Sequence, residues 1–475
     1  MKTLHIAGIV FLLALAVHSI PALTTPSPMG IDTYYFLRIG SLMKDSGFNL
    51  QHDPLSFGGR AFNYPSGLPL ALGALALFSD ISTTGIALAV IIGALSSVLV
   101  FLISLELLKN EKRKTRLAFA SALLFAFVPV VVWRTSGAII NMNFELFFFL
   151  MSLYLLLGKM KELFVIPALA LVLFSPAFGI IISVISLAYV RSKKRIFCIA
   201  SVGVLLLSLA NASLYYSSFR SIYLAKSLPV QIYNAIYPPV TLDAILYRLD
   251  PAVFALGIAS VVLVIMNSRK GVQWRDEKNK LVVIILSCAF FAALITGLVE
   301  MDRASFYLSF PLCIGACYAL SLIKNERLFT AMLVLLLAFA AADGALVAAD
   351  LGYVTPWKED MAALSSLKST PNDTILSSAV SGHLVSYVTG SKNVMDGNLI
   401  DAPDINGRFS DAWAAYTTSD NAQRAQILEK YNVTYIFLSH WEREQFDANQ
   451  TALDADPYLS VAVKFNDTVI YRRAA

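Results

Sequence analysis

Charge is what this chain of 475 residues lacks most, only 15% of it being Asp, Glu, Lys or Arg. Soluble proteins carry about a quarter. Histidine and cysteine are scarce as well, at five and four. Cys198, Cys288, Cys313 and Cys317 all fall in apolar stretches without zinc-ligand spacing. They read as small buried side chains rather than metal ligands or redox thiols. There is no internal repeat and no low-complexity tract.

What is present in excess is apolar sequence, 57% of the chain, gathered into long runs bounded by charge. Runs of about twenty such residues read as membrane spans. Eleven are expected, at 4–22, 82–108, 117–134, 144–158, 163–174, 177–190, 196–213, 251–267, 281–299, 304–323 and 328–349. The two short spans around Ser175-Pro176 suggest a tight hairpin. A half-length apolar helix is expected over 66–79. The N-terminus has the make-up of a signal peptide or a first span. With no clear small-residue cleavage site before Pro21, it is read as an uncleaved anchor.

The charge is unevenly divided. Residues 1–349 hold 27 Lys+Arg against 16 Asp+Glu, and residues 350–475 hold 10 against 16. A basic membrane part, 1–349, is therefore expected to precede an acidic soluble domain, 350–475. The basic residues sit in short inter-helix loops around 109–116, 191–195 and 269–280, which argues against nucleic-acid binding. These loops fall on one side, and by the positive-inside rule that side is cytoplasmic. The reading is a multi-pass protein of the cell membrane, N-terminus inside and C-terminal domain outside.

In the tail, helical spacing over 358–367 and 411–431 alternates with strand-like runs at 374–378, 433–439, 459–465 and 468–471. A small α/β domain is expected. Asn211, Asn372, Asn432, Asn449 and Asn466 each open an Asn-x-Ser/Thr triplet, and four of the five lie in this domain.

Two outer loops carry the residues with chemical potential. The first contains Gly30-Ile31-Asp32-Thr33-Tyr34-Tyr35, then Asp53-Pro54 and Tyr64-Pro65-Ser66-Gly67. Asp32 opens an amphipathic helix and is placed to cap it. The second runs Arg134-Thr135-Ser136-Gly137 to Asn143-Phe144-Glu145. A carboxylate entering an apolar helix is costly without a partner, for which Arg134 or a metal ion are the candidates. Glu300, Asp302 and Arg303 form a compact charged turn, with Tyr307 one turn later.

These motifs resemble the GT-C membrane glycosyltransferases, most closely the catalytic subunit of archaeal and eukaryotic oligosaccharyltransferase. The resemblance implies a membrane all-α fold of about 11 helices with a small extracytoplasmic α/β domain. It implies a polyprenyl- or dolichyl-phosphate-linked sugar donor in the bilayer and a protein, lipid or glycan acceptor. It makes Asp32 the first catalytic residue and Glu145 the second. With Asn143 they would hold a divalent metal, magnesium or manganese, as hard oxygen ligands. Tyr35, Arg134, Asp243 and Arg303 would meet substrate. Three departures stand out. Position 143 is Asn where the family has an acid. Thr241-Leu242-Asp243-Ala244 stands for a Thr-Ile-x-Glu-like segment. The acceptor-reading Trp-Trp-Asp-Tyr-Gly motif is replaced within 376–382, although Gly382-His383, Tyr387, Thr389-Gly390 and Val394-Met395-Asp396-Gly397-Asn398 keep its surroundings.

The expected function is transfer of a sugar or oligosaccharide from a lipid-linked donor outside the membrane. A true Asn-x-Ser/Thr oligosaccharyltransferase is the alternative in the same class. A non-catalytic scaffold or a transporter is the alternative in another. No span carries a clear mid-membrane charge, which weighs against transport.

Overall fold

The computed structural model describes residues 2–25, 27–62, 66–109, 111–158, 161–189, 195–214, 241–268, 301–350, 356–399 and 402–474. Two compact units emerge. The first comprises Met1–Thr25, Gly85–Ala212 and Val240–Leu351, the second Pro26–Thr84, Ser213–Pro239 and Gly352–Ala475. This differs from the expected division at residue 350. Residues 26–84, counted with the membrane part in sequence, pack with the tail.

The first unit is helical. Its elements are α1 (Lys2–Thr24), α4 (Ile81–Leu107), α5 (Lys114–Phe127), α6 (Pro129–Thr135), α7 (Asn141–Leu157), α8 (Val165–Phe174), α9 (Pro176–Tyr189) and α10 (Arg195–Leu214). After them come α11 (Leu242–Leu249), α12 (Pro251–Ser268), α13 (Met301–Ser321) and α14 (Glu326–Asp350). Helices stand where ten of the eleven spans were expected, and the eleventh, 281–299, lies outside the described residues. Among the described residues four helices are long and apolar enough to cross a membrane, or up to six if each bent pair forms one span.

Both bends have a covalent cause. The expected span 117–134 is two helices meeting at 62°, because Pro129 supplies no amide hydrogen and forces Val128 into an extended conformation, φ −53° and ψ 130°. The second break, 93° at Asp250-Pro251, places Asp250 at φ 61°. Its carboxylate caps α12 by accepting from the amides of Ala252 and Val253. α6 sits tightly against α4 because Gly93 has no side chain. A Cβ there would lie 2.5 Å from that of Thr135.

Ionisable side chains lie within the apolar helices. His18 is buried in α1, its Nε2 3.2 Å from the Ala126 carbonyl oxygen. Asp343 lies in α14.

The second unit opens with α2 (Ile31–Asp45), a short hairpin of β1 (His52–Asp53) and β2 (Arg60–Ala61), and α3 (Gly67–Leu75). Its tail part surrounds a five-stranded sheet built from β3 (Thr374–Leu376), β4 (Lys392–Asn393), β5 (Tyr435–Leu438), β6 (Leu459–Phe465) and β7 (Thr468–Arg473), in the order β4-β3-β5-β7-β6. β3 runs parallel to β4 and β5, and β7 antiparallel to β5 and β6. The covering helices are α15 (Lys358–Ser366), α16 (Gly382–Thr389), α17 (Ile405–Thr417), α18 (Asn421–Lys430), α19 (His440–Phe446) and α20 (Gln450–Asp454). The single helix expected over 411–431 is two. Asp420 accepts from the amides of Ala422 and Gln423 and so starts a new helix. The central strands β3, β5 and most of β7 are buried on both faces, as the run Tyr435–Leu438 shows.

Candidate functional site

The candidate residues fall in both units, and each group has its own construction. In the second unit, Asp32 lies in the first turn of α2 and is exposed. It does not cap the helix. Gly30 is the N-cap, at φ 81°, and makes no side-chain bond. The Asp32 carboxylate is thus left for other work, at a helix end whose partial positive charge suits an anion.

Behind Asp32 the helix is locked in place. Tyr34 donates from its hydroxyl to the Pro28 carbonyl at 2.8 Å. Arg38 donates to both oxygens of Asp53, one at 2.8 Å, which also accepts from the amides of Leu55 and Ser56. Burial works against the Arg38 charge, yet Asp53 and Asp396 hold its pKa above the ordinary value. Asp53, part of the family-like motif, is therefore a structural anchor.

Tyr35, expected to meet substrate, is buried with its ring 5.1 Å from that of His383. His383 is buried, with Nδ1 3.5 Å from Asp396 Oδ2. Burial lowers its pKa, partly offset by the charges of Asp396 and Asp32. Asp396 is the hub. It accepts from Ser56 Oγ at 2.5 Å and from Asn393 Nδ2 at 3.2 Å, and Arg60 lies 3.5 Å away. Burial pushes its pKa up, but His383, Arg60 and Arg38 together hold it below the usual carboxylate range. The Gly382 position has a steric reason as well. A Cβ on Gly382 would fall 2.1 Å from the Met395 carbonyl oxygen.

The segment replacing the acceptor-reading motif is closed. Ser377, Ser378 and Ser381 are buried. The Ser378 amide donates to Glu442 Oε1 at 2.9 Å, while Oε2 takes the Ser439 amide and hydroxyl. The Ser378 hydroxyl donates to that of Ser381 and accepts from its amide.

In the first unit, Glu145 and Asn143 both start α7 but are turned to different partners, as residues two apart on a helix must be. Glu145 accepts from Asn141 Nδ2 at 2.9 Å and from the Tyr307 hydroxyl, and the Arg303 charge acts on it. The partner expected from sequence was Arg134 or a metal. The structure supplies Arg303, one turn before Tyr307 on α13. Asn143 donates from Nδ2 to the carbonyls of Arg134 and Ala138 at 2.7 and 3.0 Å. Its buried Oδ1 has no hydrogen-bond partner. An orphaned buried oxygen of this kind fits the donor chemistry of a hard cation. Among the described residues no three His, Cys, Asp or Glu gather as a metal cage.

Arg134 extends over Trp133, its guanidinium 4.4 Å from the ring centre. Arg248, on α11, approaches the same ring at 5.5 Å. Sequence reading missed Arg248. The only signal was its position five residues beyond the Thr241-Leu242-Asp243 segment. Two guanidinium groups at one indole make a cationic patch suited to phosphate oxygens. Asp243 itself is exposed in the first turn of α11, where Thr241 performs the capping by accepting from the Ala244 amide at 3.2 Å.

No protein-family model matches the chain. Two dolichyl-phosphooligosaccharide-protein glycotransferases of Archaeoglobus fulgidus are 31% identical over 181 residues and 32% over 206. The matches take in 34% and 40% of this chain, and only 29% and 33% of those proteins. Among solved structures, the A. fulgidus oligosaccharyltransferase AglB in complex with an inhibitory peptide and a dolichol-phosphate aligns with a TM-score of 0.68 at 15% identity. The alignment covers 94% of this chain and 70% of that one. The same enzyme with zinc and sulfate gives 0.61 at 15% identity, over 98% and 73%. ArnT of Cupriavidus metallidurans bound to undecaprenyl phosphate gives 0.56 at 14%, over 100% and 98%. The fold is that of the GT-C membrane glycosyltransferases. Part of the chain is similar in sequence to the two archaeal glycotransferases, and it spans about a third of their length.

Proposed function

We propose that the protein transfers a sugar or oligosaccharide from a polyprenyl- or dolichyl-phosphate-linked donor to an acceptor on the extracytoplasmic face of the cell membrane. The observation that carries this reading is Asp32. It is an exposed carboxylate with no capping duty, on a helix fixed from behind by the Arg38–Asp53 pair. Rigid presentation of a free carboxylate is what a reacting group requires. In this reading eleven spans within residues 1–349 cross the bilayer, and the first outer loop and the acidic tail, from 350, lie outside. Asp32 meets the acceptor and takes its proton as the acceptor bonds to the sugar C1, while the C1–O bond to the carrier breaks and the lipid phosphate or diphosphate leaves. Arg134, Arg248 and Arg303 face the donor phosphate, Asp243 lies at their edge, and Glu145 fixes the Tyr307–Arg303 side. Tyr35 supports Asp32 through His383 rather than touching substrate.

A divalent cation belongs to this reading. By the resemblance its candidate ligands are Asp32, Asn143 and Glu145, Asn143 through its unpartnered Oδ1. When bound, magnesium or manganese supplies Lewis-acid neutralisation of phosphate charge.

The acceptor reading favours something other than an Asn-x-Ser/Thr peptide. A site that selects a hydroxyl does so with polar groups free to bind it, and those of 377–381 are engaged with Glu442 and with each other. The test is reconstitution in lipid nanodiscs with polyprenyl-phosphate- and diphosphate-linked donors against peptide, glycan and lipid acceptors. Turnover with a glycan or lipid acceptor, lost in Asp32→Asn, supports the proposal. Donor binding without turnover on any acceptor would leave the scaffold reading in its place. Efficient transfer to an Asn-x-Thr peptide, but not its Gln counterpart, would restore the oligosaccharyltransferase reading.

A further inference from the structure

The Asn-x-Thr triplets of the tail are not absorbed by the transferase reading, and their placement is regular. Eight asparagines and nine threonines follow residue 352, and random placement would give such a triplet about 0.6 times. There are four, at Asn372, Asn432, Asn449 and Asn466, all with threonine and none with proline between. All four asparagines are exposed. Three share one construction, in which the asparagine sits in a turn leading into a strand: Asn372 before β3, Asn432 before β5 and Asn466 before β7. Asn432 and Asn466 hold positive φ, 49° and 47°, and Asn466 Nδ2 makes one exposed bond, donating to Glu359 Oε1 at 3.1 Å. Asn449 caps α20 through Oδ1, accepting from the Ala452 amide at 3.1 Å, so its Nδ2 is not used by the cap. The fifth triplet is the contrast. Asn211 lies within apolar α10, where its Nδ2 donates to the Val172 carbonyl at 2.7 Å.

We propose that the tail is itself modified, with Asn372, Asn432, Asn449 and Asn466 as acceptors of Asn-linked glycan, and Asn211 not. In each transfer an Nδ2–H bond and the sugar C1–O bond to the carrier phosphate break. An Nδ2–C1 bond forms, the proton passes to the base of the modifying enzyme, and the lipid carrier leaves as its phosphate or diphosphate. The donor is a lipid-linked glycan, and the catalyst is an Asn-directed transferase of the same membrane, distinct from the activity proposed above. The modification would give an exposed domain a hydrophilic coat around its sheet ends. It rests on the tail facing outward and not on the protein's own catalysis.

The experiment is intact-mass and glycopeptide analysis of the full chain purified from membranes of its own host. The expected mass exceeds that of the polypeptide by glycan increments. One increment is lost in each of Asn372→Gln, Asn449→Gln, Asn432→Asp and Asn466→Asp. Aspartate is chosen at 432 and 466 because it tolerates positive φ. Thr434→Ala should match Asn432→Asp, which separates loss of the acceptor triplet from misfolding. Asn211→Gln should change nothing. A wild-type mass equal to the bare polypeptide overturns the proposal. Impermeant labelling of Glu444→Cys then tells whether the sites or the orientation failed.

Discussion

Ser56 Oγ donates to Asp396 Oδ2 at 2.5 Å across 340 residues of chain. The bond joins the first loop to the loop that follows the lost acceptor motif, and Arg60, Asn393 and His383 close around the same carboxylate. Removing one partner of a buried ion network strands the others. Asp396→Asn should therefore cost about 3 to 5 kcal/mol of unfolding stability, read as a lowered denaturation midpoint in detergent. Ser56→Ala should cost about 1 kcal/mol, the scale of one hydrogen bond. Equal effects of the two would show that the charge network is not what holds the loop.

Asp32 should behave in the opposite way. Since it is exposed and caps nothing, Asp32→Asn should leave the unfolding midpoint unchanged. Transfer should fall by about a hundredfold or more, the scale for losing a group that acts on transition-state charge. Chelator should abolish wild-type transfer, and magnesium or manganese should restore it. Wild-type rates unaffected by chelator would remove the cation from the mechanism.

Glu145 is held by Asn141, Tyr307 and the Arg303 charge. Glu145→Gln keeps hydrogen-bonding capacity but leaves the arginine without its counter-charge, while Tyr307→Phe keeps the charge pair. The glutamine variant should lose about tenfold or more in rate, and the phenylalanine variant clearly less. The opposite order, measured by single-turnover transfer, would make the tyrosine hydroxyl rather than the carboxylate the important group.

Asp360 supplies a pH prediction. It is buried beneath β7, accepting from the Thr468 hydroxyl at 2.6 Å, and burial pushes its pKa up to about 7. A carboxylic acid with a raised folded pKa binds its proton more tightly in the folded state. Its stabilising contribution is full below about pH 4 and is lost as pH rises towards 7. Asp360→Asn should consequently be more stable than wild type at pH 8, by on the order of 1 to 2 kcal/mol. At pH 4 the two should coincide. A constant difference between pH 4 and pH 8 would contradict the assignment.

Orientation is checked by single cysteines. Impermeant maleimide applied to intact cells should label Glu444→Cys and leave Lys112→Cys unmodified until the membrane is opened, as the positive-inside rule requires. The reverse pattern would invert the topology.

Much of the fold was legible in composition. Apolar run length specifies helix position closely, because burial in lipid leaves the backbone no other way to satisfy its hydrogen bonds. Thus 82–108, 251–267 and 328–349 became Ile81–Leu107, Pro251–Ser268 and Glu326–Asp350. The bend at Val128-Pro129 was also written in the chain, but its angle was not. Strands β5, β6 and β7 followed from β-branched and aromatic runs. The break at Asp420 was hidden inside a continuous helical pattern, where a single capping aspartate decided the outcome.

What the sequence determined alone was which residues carry charge in an apolar setting, and so that Asp32 and Glu145 needed explanation. What only tertiary structure decided was their partners. Arg303 lies 158 residues from Glu145 in the chain, and Asp396 lies 340 from Ser56. No local period encodes such pairings. They arise when helices and strands, each fixed by short-range rules, pack so that every buried polar group finds another. Asp32 illustrates the converse: sequence left capping open beside a catalytic role, and the fold gave the cap to Gly30.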